Sequence, residues 1–245
     1  MDFSVFMIAM GKGRTDAETY ADVLSDVRLA EELGFDTFWF AEHHFNREFS
    51  LSPSPNLFIA AASQITDRIK LGTAVNVLPY HNPIRVAEEG AMLDILTGGR
   101  LQWGIGRGYP GPEFNTYKVD PTQARERFEE IHDIVIEAWR TGTLESDGAH
   151  YEVPAAKLAP RPVQDPHPPV WMTAMSPQSV TWAAQHDYPA MQVAEPLSIG
   201  REHLERYRAA AAEAGVETRR GGIAPLRYIY VADTDQAASE ACRPH

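Results

Sequence analysis

The stretch "IKLGTAVNVLPYHNPIRVAEEGAMLDILTGGRLQWGIG", Ile69 to Gly106, decides the fold class. Its first part, Ile69 to Leu78, is an apolar run rich in β-branched residues and reads as a buried strand. Asn82-Pro83 reads as a helix start, because asparagine accepts at an N-cap and proline at the first position has no N–H to lose. Gly98 and Gly99 mark the stop. Leu101 to Ile105 is the next strand. Strand, helix and strand in this order build a parallel sheet with helices on its faces.

The pattern recurs along all 245 residues. Asp2 to Met10, Phe35 to Ala41, Pro169 to Ala174, Ala190 to Val193 and Ala224 to Val231 read as further strands. Thr15 with Glu18 is a capping-box pattern, followed by Tyr20, Val23, Leu24 and Val27 at helical spacing and stopped by Gly34. Pro55 to Ile65, Ala124 to Trp139, the segment after Ser176-Pro177, and Glu202 to Ala214 read as helices. Seven strand–helix units predict an α/β, TIM (β/α)8-type barrel forming one domain over residues 1–245. The chain ends at "TDQAASEACRPH" while a seventh helix is starting. The barrel is therefore expected to be truncated before strand eight, with its C-terminal part missing. The proline-rich segment Thr143 to Pro168 reads as an irregular insertion over one barrel mouth.

Composition narrows the function classes. An apolar content of 44% suits a large core. A formal net charge of −12 repels nucleic-acid phosphates and anionic membrane surfaces. The single cysteine, Cys242, allows neither an internal disulfide nor a thiolate metal cluster. Met1 to Met10 lacks the basic start and long apolar core of a secretory signal. No apolar run approaches the ~20 residues of a membrane span. The expectation is a soluble, cytoplasmic protein without nucleic-acid or membrane partners.

Function in a parallel barrel sits where strands end. In "TFWFAEHHFNRE", Thr37 to Glu48, an apolar strand switches abruptly to Glu42, His43 and His44. This is either a strand reaching solvent or an active-site edge. Adjacent strand residues face opposite ways, so His43 and His44 are not expected to share a metal ion. In "WGIGRGYPG", glycines allow close approach of a ligand and Arg107 offers an anion-binding fork, although a tight strand exit uses glycines too. In "AMSPQS", Ser176 caps a helix whose N-terminus suits phosphate, or simply caps a helix. His81 reads as a loop residue, and His132 as a surface or partly buried helix position.

Three segments resemble the luciferase-like flavin monooxygenases: "GFDTFWFAEHHF", "LGTAVNVLPYHNPIRVAEEGAMLDILTGGRLQWGIGRGY" and "PPVWMTAMSPQSVTWAA". The resemblance follows the same order across nearly the whole chain. It implies a (β/α)8 barrel that binds reduced FMN, supplied by a separate flavin reductase. Dioxygen would add at the flavin C4a position to oxidise a small organic substrate. By resemblance His43 is the catalytic histidine, with Glu42 orienting or balancing the site and Glu113 an acidic position on the loop after strand four. Arg107, Arg125, Ser176 and Ser179 match the flavin-phosphate site, and Met175 is counted with them as cofactor-binding. Ala74 and Val75 match a pair joined by a non-prolyl cis peptide beneath the flavin ring. His44 would face away and support packing. A homodimer is implied as well. Two features depart from the family: Gly106 stands where the luciferase catalytic subunit has a reactive cysteine, and the C-terminal part is missing. A deazaflavin-dependent hydride-transfer enzyme of the same superfamily and a non-catalytic flavin-binding partner subunit are the alternatives.

Overall fold

Every residue of the strand Thr37–Phe40 is buried, so the sheet that holds it is covered on both faces. The computed structural model describes residues 2–218 and 222–243, in two compact units, Met1–Thr173 and Ala174–His245. Met1 and the last two residues of the "EACRPH" end lie outside the described residues. Among the described residues no helix is long and apolar enough to cross a membrane.

The first unit runs β1 (Ser4–Met7), α1 (Asp16–Glu32), β2 (Thr37–Phe40), α2 (Pro55–Ser63), β3 (Lys70–Thr73) and β4 (Asn76–Val77). It continues with α3 (Pro83–Leu96), β5 (Leu101–Gly106), α4 (Pro112–Tyr117), α5 (Ala124–Thr141), β6 (Thr143–Asp147), β7 (Glu152–Lys157) and β8 (Val170–Thr173). Strands β1, β2, β3, β5 and β8 pair in that order, all parallel. Phe38 sits opposite Val5 on one side and Leu71 on the other.

The two sheet faces differ in what covers them. Phe38 and Phe40 pack into a core with Val23 and Val27 of α1 and Phe58 and Ile59 of α2. Each fully buried side chain of this size contributes about 1.5–3 kcal/mol. Trp39 takes the opposite face, edge-on to Trp171 with ring centroids 5.0 Å apart. A Cβ at Gly72 would lie 2.3 Å from the Trp39 ring, so only glycine fits the neighbouring strand there.

The helix starts follow the sequence signals. Thr15 and Glu18 form the full capping box. Asn82 accepts from the Ile84 N–H at 2.9 Å, with Pro83 opening α3. The third strand departs from its reading as one run: it is broken into β3 and β4 around a cis Ala74–Val75 peptide. The ladder to β5 is kept across the break by a side chain. Thr73 Oγ1 donates to the Gly104 carbonyl at 2.7 Å and accepts from the Gly104 N–H at 2.9 Å.

Two local expectations are corrected. The segment Thr143 to Pro168 is not wholly irregular, because β6 and β7 form an antiparallel hairpin. The loop after β5 contains the short helix α4, which opens on Pro112 and closes at Lys118 in the left-handed conformation (φ 56°).

The second unit holds α6 (Pro177–Gln185), β9 (Ala190–Gln192), α7 (Leu197–Glu213), β10 (Ile223–Pro225) and α8 (Asp235–Ala241). Strands β9 and β10 are parallel, with Ala224 opposite Met191. With β4 taken as the continuation of β3, five parallel strands lie in the first unit and two in the second, matching the seven expected. The last strand is shorter than its apolar run: it ends at Pro225, and residues 226–231 are not in a strand. The pairing with β9 closes with the Leu226 N–H donating to the Gln192 carbonyl at 2.7 Å.

Candidate functional site

The C-terminal ends of the strands in the first unit carry a cluster of carboxylates, imidazoles and phenols. The chain leaving β2 is tied down by Ser52, whose hydroxyl donates to the Ala41 carbonyl at 2.6 Å and whose carbonyl accepts from the His43 N–H at 3.0 Å. Glu42 follows and is only 2% exposed. Its Oε1 meets His44 Nε2 at 3.1 Å and His81 Nε2 at 2.8 Å. Its Oε2 accepts from the Val77 N–H at 3.0 Å and the Asn76 amide at 3.4 Å. Burial pushes this carboxyl up, but the hydrogen bonds from His44 and His81 outweigh it and hold Glu42 below the ordinary carboxylate range. His81 responds in the opposite sense. Burial pushes it down, and the hydrogen bond and charge of Glu42 more than reverse that. His81 is thus a loop residue, as its sequence suggests, but one anchored to the buried carboxylate.

Glu113 on α4 forms the second hub. It accepts from the His44 backbone N–H at 2.8 Å and lies 3.4 Å from His43 Nδ1 through the same oxygen. Its other oxygen accepts from the Tyr80 hydroxyl at 3.3 Å. Burial and then the Glu113 charge push the Tyr80 phenol above its ordinary value. The Tyr80 and Tyr117 rings stack with centroids 4.5 Å apart and planes 12° apart. The Tyr117 hydroxyl reaches His44 Nδ1 at 3.1 Å. His44 is buried as expected, yet it is a hydrogen-bonding centre rather than packing alone.

The glycine-rich exit of β5 brings a third group. Arg107 is part-buried, and no carboxylate pairs with it among the described residues. Burial lowers its affinity for its proton, and the charge of Arg125 adds to the effect. Arg125 itself reaches Glu129 at 3.3 Å along α5. Gly108 has φ +72°, and a Cβ there would lie 2.8 Å from Val77 and 2.9 Å from Phe114. At Gly106 a Cβ would lie 2.5 Å from Val75 Cγ2. The place of a cysteine side chain is therefore taken by the second residue of the cis pair.

His43, Glu42, Glu113, Ala74, Val75, Arg107 and Arg125 all lie in the first unit. Met175, Ser176 and Ser179 belong to the second. There Ser176 Oγ caps α6, accepting from the Ser179 N–H at 3.2 Å and donating to the Ser179 hydroxyl at 3.0 Å. Met175 Sδ accepts from the Val193 N–H at 3.4 Å. Sequence reasoning places Asn76, Tyr80 and His81 in the polar ring at the strand ends but gives them no partners, and it misses Tyr117. Tyr80 and His81 lie directly after strand three, where the strand-end rule does point. Tyr117 gives no local signal.

Comparison with known proteins places the chain. The family model for luciferase-like monooxygenase matches residues 1–245. The oxygenase component of the flavin-dependent trigonelline monooxygenase of Acinetobacter baylyi is 33% identical, over 98% of this chain and 68% of that protein. An alkanal monooxygenase alpha chain of Photorhabdus luminescens is 32% identical, over 88% of this chain and 60% of that protein. The crystal structure of monooxygenase RslO1 from Streptomyces bottropensis superposes with a TM-score of 0.90 at 29% identity, covering 98% of this chain and 75% of that one. The chain spans 60% and 67% of the length of the first two curated relatives it matches. The expected barrel fold class and the family resemblance read from the three segments both hold: this chain belongs to the luciferase-like monooxygenase family.

Proposed function

We propose that this chain is the oxygenase of a flavin-dependent monooxygenase, using reduced FMN and dioxygen to oxidise a small organic substrate. The observation that carries this reading is Arg107, a part-buried guanidinium without a carboxylate partner among the described residues, close enough to Arg125 for each charge to oppose the other. Two such cations suit a dianionic phosphate, and charge-assisted hydrogen bonds to it would relieve their repulsion. Beside Arg107, Gly108 is required by packing, because Val77 and Phe114 fill the space a side chain there would need. The residues present therefore fit the cofactor. In the first unit Arg107 and Arg125 would hold the phosphate, and Ala74 and Val75 would border the ring; Met175, Ser176 and Ser179 of the second unit are assigned to the cofactor by the resemblance read from the sequence alone. Bound reduced flavin supplies the electrons that activate dioxygen for transfer of one oxygen atom.

His43 is the acid–base group in this reading. An ionised Glu113 only accepts, so the His43 Nδ1–H turns toward it and leaves Nε2 for a bound molecule. Glu42 orients the loop from below. The flavin-dependent relative in Acinetobacter is an oxygenase component, which supports a separate reductase as the source of reduced flavin. Exposed Leu57 on α2 and Met92 and Leu96 on α3 support a homodimer. Residues 1–245 are read as one barrel domain, in a cytoplasmic protein. The test is anaerobic titration with reduced FMN, followed by an oxygen pulse monitored by flavin absorbance. Reduced FMN should bind, and the bound flavin should be reoxidised by oxygen with a time course distinct from that of free reduced FMN. Tight binding of a reduced deazaflavin instead, with no response to oxygen, would move the chain to hydride transfer.

A further inference from the structure

His44 is sealed, with a side chain only 4% exposed. Its ring has two partners: Glu42 at Nε2 and the Tyr117 hydroxyl at Nδ1, each at 3.1 Å. An ionised Glu42 has no proton to offer, so both His44 and His81 turn an Nε2–H toward it. In neutral His44 this leaves Nδ1 as an acceptor, and the Tyr117 O–H donates to it. Carboxylate, imidazole and hydroxyl in this order are how a buried base acts through an exposed oxygen. Tyr117 ends α4 and is 39% exposed. It stacks on Tyr80, whose hydroxyl donates to the carboxylate that also meets His43. Tyr117 therefore belongs to the same cluster as His43, although the reading above gives it no task.

We propose that Tyr117 is a second proton-exchanging group of this site, the outlet through which the buried His44 takes up a proton. A proton on a bound molecule moves to the Tyr117 oxygen while the phenol's own proton moves to His44 Nδ1. One O–H bond forms as another breaks, and a new N–H forms on the imidazole. The bound molecule keeps the electron pair, and the imidazolium charge faces Glu42. No free phenolate arises. This agrees with burial and the carboxylates Glu42 and Glu113, which push the Tyr117 phenol above its ordinary value. The other ionisable groups near the cluster are Tyr80, Tyr109, His81 and Glu113.

The proposal rests on the flavin reading only for the identity of the bound molecule. Its test begins with the ligand-free chain carrying 15N-labelled histidine. Tyr117→Phe keeps the ring and its stack and removes only the hydroxyl. The variant should remain folded and melt somewhat below the parent, because the buried His44 Nδ1 loses its partner. The His44 Nδ1 resonance should move to that of an imidazole nitrogen without a hydrogen bond, and exchange with solvent of the proton that the imidazolium carries on Nδ1 should slow at least about tenfold. With reduced FMN bound, the rate of flavin reoxidation by oxygen should fall about 100-fold, within the usual range for loss of a proton-transfer group, at unchanged FMN affinity. An unmoved Nδ1 resonance, or unaltered proton exchange, overturns the proposal. Failure of the parent chain to bind FMN would defeat the flavin reading, while the resonance and exchange measurements would still decide the role of Tyr117.

Discussion

The two ends of the parallel strands in the first unit hold charge in different ways. Before β5, Asp94 is fully buried and accepts from the Val163 and Gln164 N–H groups at 2.8 Å each and the Gln164 amide at 2.6 Å. Glu31 collects the N–H groups of Asp67, Arg68 and Ile69 just before β3. Arg100 donates to the carbonyls of Thr66, Ile69 and Thr97 at 2.8–2.9 Å. At the opposite ends, Glu42 and Glu113 also accept from imidazoles and a phenol, and Arg107 pairs with no carboxylate among the described residues. A backbone amide does not give up its proton, so a charge set against it keeps one state and fixes geometry. An imidazole or a phenol exchanges its proton, so a carboxylate set against it belongs to a group that can work.

Asp94 carries the largest expected effect. Asp94→Ala removes a fully buried carboxylate and leaves the Val163 and Gln164 N–H groups and the Gln164 amide without their acceptor, and should cost about 3–5 kcal/mol of stability. Urea melts would measure the loss, and the FMN affinity of the molecules that remain folded should be unchanged. An unmoved midpoint would show that the N-terminal ends are not the structural half.

Arg107→Ala should do the reverse. A charge-assisted contact contributes about 1.5–3 kcal/mol, so FMN binding should weaken roughly 10- to 150-fold while the melt stays put. Riboflavin, which has no phosphate, should be affected far less. Equal losses for the two ligands would remove Arg107 from the phosphate site.

The smallest effect is in pH. Glu42 is held below its ordinary 4.5, so its contribution is full above that value and is lost as pH falls through the depressed folded value. His81 is raised above 6.5, so its contribution is full below 6.5 and is lost as pH rises through the raised folded value. Both are present together between about 4.5 and 6.5. Melts of the parent and His81→Gln across pH should converge on the alkaline side. A difference that grows above pH 6.5 would contradict this sign.

The scaffold was legible because its signals are local. Thr15 with Glu18, Asn82 with Pro83, and Ser176 with Pro177 each cap a helix as their spacing indicates. The buried runs of β2 and β5 could hardly be anything but parallel strands. The hairpin β6–β7 was hidden because most of it is polar and exposed and it contains Pro154. Helix α4 is six residues long, too short to display a period. The strand-end rule found Glu42, His43 and Arg107. It could not find the Glu42–His81 contact or the His44–Tyr117 contact, whose partners lie 39 and 73 residues apart. Such pairs exist only once the strands have been laid side by side.

The end of β10 has a consequence for how the protein behaves in a tube. Tyr228, Ile229, Tyr230 and Val231 are 82%, 82%, 59% and 84% exposed. A short run rich in β-formers, with neither charge nor proline, is the composition that self-associates between copies. Arg227 and Asp233 flank it as gatekeepers. The net charge of −12 keeps copies apart in dilute buffer. That repulsion reaches about 10 Å at 0.1 M salt and about 3 Å at 1 M, whereas the apolar surface is undiminished. Solubility of this chain therefore falls as ionic strength rises, and low-salt, mildly alkaline buffers are the conditions that keep it dispersed.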